Sequence, residues 1–159
     1  MNDPRALDVD MSSVVPLIRE ILAVGGTTEL TVSGNSMRPL FKHRVSRVRL
    51  AVSDTYAPGD VVLYQRDNGA FVLHRILQIK GGLFVMRGDN QYLAETGIRQ
   101  DQILAAMTAF TRDGVHWHKS GCILHRIYRT FWVRSCPVRR RCKRIFGRLF
   151  SMIYKRKRP

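Results

Sequence analysis

Val32-Ser33-Gly34-Asn35-Ser36-Met37-Arg38-Pro39-Leu40 follows the β-branched Thr31 and sets a serine between a glycine and a proline. Ser, Gly, Asn and Pro are ordinary turn formers, so the stretch reads first as an exposed turn. The same residues also suit a serine held at a strand-to-turn junction with little backbone freedom. A nucleophilic serine needs a neighbour to take its proton and donors for an oxyanion. The surrounding chain decides between the two readings.

On either side of this turn the chain is written in short strand-like runs: 29–32, 45–51, 60–65, 71–79 and 83–87, then 103–108 and 115–118. Turn signals separate them at Ala57-Pro58-Gly59, Asp67-Asn68-Gly69, Gly81-Gly82 and Arg112-Asp113-Gly114. Asp67-Asn68-Gly69 between two β-rich runs predicts a hairpin. Upstream, Val14, Leu17, Ile18, Ile21 and Leu22 recur at helical spacing after Ser12-Ser13. They predict a helix to about Val24, with Pro16 in its first turn and Gly25-Gly26 ending it. The fold class is therefore mostly β, a coiled sheet with an N-terminal helix over 11–118 and a basic helical tail over 119–159.

Of the five histidines, His74 is the one inside a strand, in Phe71-Val72-Leu73-His74-Arg75-Ile76. Alternation puts Val72, His74 and Ile76 on one face, where a buried, hydrogen-bonded histidine is the plain reading. His43 sits in a charged turn, and His116 and His118 flank Trp117. The candidate carboxylates are Asp60, Asp89, Glu95 and Asp101. Asp60 and Asp89 both have an ordinary turn explanation.

Four blocks in order carry a resemblance: Val-Ser-Gly-Asn-Ser-Met-Arg-Pro (32–39), Pro-Gly-Asp-Val-Val-Leu-Tyr (58–64), Leu-His-Arg-Ile (73–76) and Arg-Gly-Asp-Asn (87–90). Together, over about residues 28–110, they resemble the superfamily of signal peptidase I and LexA-like autoproteases. The Gly-x-Ser-Met spacing is similar to the repressor side. His-Arg in place of Lys-Arg, followed by Gly-Asp-Asn, is similar to the endoplasmic-reticulum-type signal peptidases. The resemblance implies a signal-peptidase/LexA-like fold and a serine endopeptidase with Ser36 as nucleophile and His74 as general base. It implies Asp89, or Glu95, as the supporting carboxylate, and the Asn35 and Ser36 backbone N–H groups as oxyanion donors. No metal and no cofactor are expected. Leu40 replaces a common threonine, and Gly34 stands where some signal peptidases place a second hydroxyl. With His74 near its ordinary value of about 6.5, activity is expected to rise through neutrality.

The net charge of +15 is uneven. Residues 119–159 hold 14 of the 27 Lys and Arg and no Asp or Glu, which leaves 13 basic and 12 acidic side chains in 1–118. A near-neutral body with a cationic arm is the reading. In the arm, Ile123, Leu124, Ile127, Tyr128, Phe131 and Trp132, then Ile145, Phe146, Leu149, Phe150 and Ile153, recur at helical spacing among arginines and lysines. Two basic amphipathic helices are predicted, suited to an anionic membrane surface or a docking partner, with nucleic acid ranked below these. Cys122, Cys136 and Cys142 lack metal-site spacing, and reduced thiols are expected ahead of a Cys136–Cys142 disulfide. No run approaches the ~20 apolar residues of a membrane-spanning helix. The expectation is a soluble cytoplasmic peptidase without the anchor of signal peptidases, peripheral to the inner membrane face at most, trimming a leader-bearing precursor peptide. The competing classes are a non-catalytic peptide-binding module of the same fold and, behind it, a DNA-binding regulator.

Overall fold

A computed structural model describes residues 11–136 together with Val138 and Arg141. The chain divides at Cys122/Ile123 into two compact units. The first carries helix α1 (Met11–Ala23) and strands β1 (Thr27–Thr31), β2 (Arg47–Ala51), β3 (Val61–Gln65), β4 (Phe71–Lys80), β5 (Leu83–Arg87), β6 (Glu95–Ile98), β7 (Ile103–Thr111) and β8 (Trp117–Lys119). The second carries helix α2 (Ile123–Arg134). The mostly-β expectation matches this architecture. The predicted second basic helix and Cys142 lie outside the described residues, while Cys122 is a free thiol.

The strands form one antiparallel sheet in the order β1-β2-β7-β3-β4-β5-β6. On the side of β7 away from β2, β3 pairs with the first half and β8 with the second. Register shifts interrupt β2–β7, β3–β7, β4–β5 and β5–β6. Each such irregularity bends and twists the strands locally, which coils the sheet. The core on one face gathers Val62, Tyr64, Ile76, Phe84, Met86, Ile98 and Ile103. The predicted hairpin at 67–69 is present: Arg66 N–H bonds the Ala70 carbonyl at 2.9 Å, and Gly69 turns with φ +84°.

Two sequence expectations shift. In α1 the buried stripe is Val15, Ile18 and Leu22, while Leu17 is exposed. Leu17 lies about 130° round the helix from that stripe's centre, because each residue advances 100°. Pro16 falls inside the helix, which starts at Met11. The second difference is β6, which the sequence reading does not contain. It is four residues long, includes Gly97 at φ +80°, and offers Ile98 as its one large apolar side chain.

Candidate active site

The turn bearing Ser36 is anchored from below. Met37, Leu40 and Phe41 are buried while Ser36 is half-exposed. Each such side chain contributes roughly 1.5–3 kcal/mol by leaving water, so three anchors within five residues hold the serine at the surface. Phe41 meets Phe110 of β7 edge-on at 5.8 Å. Upstream, Gly34 takes φ +85°, and its N–H donates to His43 Nδ1 at 2.8 Å. His43 is thus a buttress of the turn, a role its charged surroundings did not suggest.

His74 is 1% exposed, in the middle of β4 and opposite Val62 of β3. Tyr64 pairs with Val72, which makes it the diagonal neighbour of His74 on the same face. Its hydroxyl lies 3.2 Å from His74 Nδ1 and donates to Glu95 Oε2 at 2.9 Å. Glu95 Oε1 is itself 3.5 Å from Nδ1. Arg66 completes the group by a two-pronged bond to Glu95, its Nε 2.8 Å from Oε2. These bonds hold the Glu95 carboxyl below its ordinary range, Arg66 contributing most. An ionised carboxylate only accepts, so the Tyr64 proton belongs to Glu95 and the Tyr64 oxygen is free to accept from Nδ1–H. A neutral imidazole held this way carries its proton on Nδ1 and presents Nε2 as a bare acceptor.

Nε2 faces the Ser36 turn, and Gly88 records the approach. A Cβ built on Gly88 would stand 2.6 Å from the Ser36 carbonyl oxygen, 3.0 Å from His74 Nε2 and 3.1 Å from Gln91 Oε1. The loop after β5 is tied to the same turn by Asn90, whose N–H donates to the Ser36 carbonyl at 2.7 Å and whose side chain donates to the Asn35 carbonyl at 3.2 Å. Among the described residues no hydrogen bond joins Ser36 Oγ to the imidazole. Catalytic hydrogen bonds commonly tighten only when substrate arrives. Burial pushes the imidazole down to about 4, with Glu95 opposing that shift and Arg66 reinforcing it. The near-neutral titration expected from the sequence therefore moves into the acid range.

Asp89 is placed differently from Glu95. It is 4% exposed and bonded to the fully buried Arg75, with Nε–Oδ1 at 2.8 Å and Nη2–Oδ2 at 2.7 Å. Arg75 also donates to the Gly59 carbonyl at 2.7 Å. This clamp joins the residue after His74 to the residue after Gly88, and so fixes β4 against the loop that touches Ser36. Asp89 acts on His74 only at longer range than Glu95. Asp60 accepts from the Ala57 N–H at 2.9 Å, and Asp101 pairs with Arg99 at the surface. His116 pairs with Asp113, and His118 packs on Phe110.

The structure thus brings Ser36, His74 and Glu95 to one place, with Asp89 behind them in a separate ion pair. Tyr64 and Arg66 are the members that sequence reasoning missed. Tyr64 ends the Pro-Gly-Asp-Val-Val-Leu-Tyr block two residues before Arg66, so alternation puts the two on one face, and the β3–β4 register makes it the face of His74. Among the described residues no group of three or more His, Cys, Asp or Glu could hold a metal ion. Compared with protein-family models and with curated proteins, the chain matches none.

Proposed function

We propose that this protein is a serine endopeptidase of the signal-peptidase/LexA-like type, acting on an extended peptide or a leader-bearing precursor. The observation that carries the reading is the imidazole of His74: its Nδ1 side is taken up by Tyr64 and Glu95, and its Nε2 side meets the Ser36 turn against Gly88. In the proposed reaction Ser36 Oγ attacks the peptide carbonyl carbon as its proton passes to His74 Nε2. The oxygen of that carbonyl becomes an oxyanion, to which the Ser36 and Asn35 N–H groups would donate. Collapse breaks the C–N bond, Nε2–H protonates the departing amine, and an ester remains on Ser36. Water then attacks the ester, giving its proton to Nε2; the C–Oγ bond breaks, Nε2–H returns the proton to Ser36 Oγ, and the acid product leaves. Glu95, through Tyr64 and directly, stabilises the imidazolium that exists between these transfers. Asp89 is assigned to the Arg75 clamp.

The test is labelling by a fluorophosphonate probe followed by peptide mapping. The adduct is expected on Ser36 in the wild-type protein and is expected to vanish in both Ser36→Ala and His74→Ala. Retained peptide binding without labelling would instead identify a non-catalytic peptide-binding module.

A further inference from the structure

Helix α2 leaves a band of large apolar side chains exposed. Ile123, Ile127 and Phe131 recur every four residues, which gathers them into one band about 80° wide along the helix. They are 76%, 52% and 75% exposed. On the opposite side His125 is 4% exposed. A helix in water normally buries its Ile and Phe and shows its polar residues. Here an Ile–Phe band is outside, while His125 is buried with Tyr128 and Trp132 half-buried on its side of the helix.

We propose that this face of α2 docks the protein on an anionic lipid surface, with the helix lying in the membrane plane. Charge complementarity selects this occupant. Arg126 and Thr130 border the apolar band, and residues 119–159 contain 14 cations with no carboxylate. Ile and Phe enter the boundary between headgroups and acyl chains while arginine reaches back to lipid phosphate. A second copy would bring the same uncompensated positive charge against the first. Nucleic acid would satisfy the arginines and leave the Ile–Phe band in water. At 12 residues α2 is about 18 Å long, short of the ~30 Å hydrocarbon core. Among the described residues no helix is long and apolar enough to cross a membrane. The proposal stands apart from the peptidase reading, since it uses no residue of that site.

The experiment is flotation of the full chain with phosphatidylcholine vesicles and with phosphatidylcholine–phosphatidylglycerol vesicles. Wild type is compared with Arg126→Glu and with Ile127→Asp/Phe131→Asp, each at exposed positions and each checked for an unchanged fold by circular dichroism. Wild type is expected to float with the anionic vesicles and poorly with the neutral ones. The double variant should lose at least about a hundredfold in partitioning and the arginine variant a few-fold. Equal partitioning of wild type and double variant would overturn the proposal. So would absence of vesicle binding, whether alone, with a concentration-dependent dimer that the double variant abolishes, or with retention on duplex DNA.

Discussion

Removing the Asp89 side chain leaves the Arg75 guanidinium in a place water does not reach. Arg75 is fully buried, and of its bonds to Asp89 and Gly59 only the one to the Gly59 carbonyl would persist. Deleting one partner of a buried, hydrogen-bonded ion pair costs about 3–5 kcal/mol, mostly because a charge is stranded. A domain's whole stability is of order 5–15 kcal/mol. Asp89→Ala should therefore lower the urea midpoint strongly at unchanged slope, and lower Tm by roughly 10–20 °C. Arg75 also faces Arg87 directly across the β4–β5 ladder, so Asp89 offsets a repulsion as well as a desolvation. An Arg75→Met/Asp89→Leu variant, which removes both charges and keeps the bulk, should regain most of the loss. A loss below about 1 kcal/mol in Asp89→Ala would refute the clamp and return Asp89 to candidacy as the direct partner of His74.

Three further outcomes follow from the site. In Gly88→Ala the added methyl meets a backbone carbonyl at 2.6 Å and the reacting nitrogen at 3.0 Å. Peptide hydrolysis or probe labelling should fall roughly a hundredfold or more while unfolding shifts by only about 1–3 kcal/mol. Glu95→Gln and Tyr64→Phe should each lower kcat roughly ten- to hundredfold with KM nearly unchanged. The effect stays below that of a buried triad carboxylate because Arg66 already offsets the Glu95 charge. Stability should fall with acid in a defined window. His74 titrates at about 4 in the folded protein and near 6.5 unfolded, so between these values the unfolded chain binds a proton that the folded one refuses. Its contribution is fully present above about pH 6.5 and is lost as pH falls toward 4, by roughly 3 kcal/mol, a slope that His74→Gln should flatten in urea titrations.

Much of the sheet is legible because its signals are local. Asp67-Asn68-Gly69 sits between two β-rich runs, and each of the strands β1–β5, β7 and β8 overlaps a predicted run. What is not legible depends on partners far along the chain. β6 exists because Ile98 and Glu95 pair with Phe84 and Met86, and nothing within Glu95-Thr96-Gly97-Ile98 announces a strand. That hidden strand delivers Glu95 to His74, which is why Asp89, inside a conspicuous Gly-Asp-Asn block, stands first in the sequence reading. The buried Arg75 shows the same limit, since alternation assigns it a face and cannot say that Asp89 and the Gly59 carbonyl wait there. The fall of the His74 titration into the acid range likewise comes from burial in the folded chain. In the tail, spacing predicts an amphipathic helix, and only the structure reveals that the exposed band is the apolar one.

The pH dependence of Ser36 labelling by a fluorophosphonate tests the central claim most directly, because it reads nucleophile and base together. The base must be neutral to accept the Ser36 proton, so the labelling rate should climb as pH rises through about 4 and be level across neutrality, with the adduct mapped to Ser36. His74→Ala should abolish that limb along with most of the rate. An adduct elsewhere, or a wild-type rate that climbs only well above neutrality and is unchanged in His74→Ala, would contradict the account.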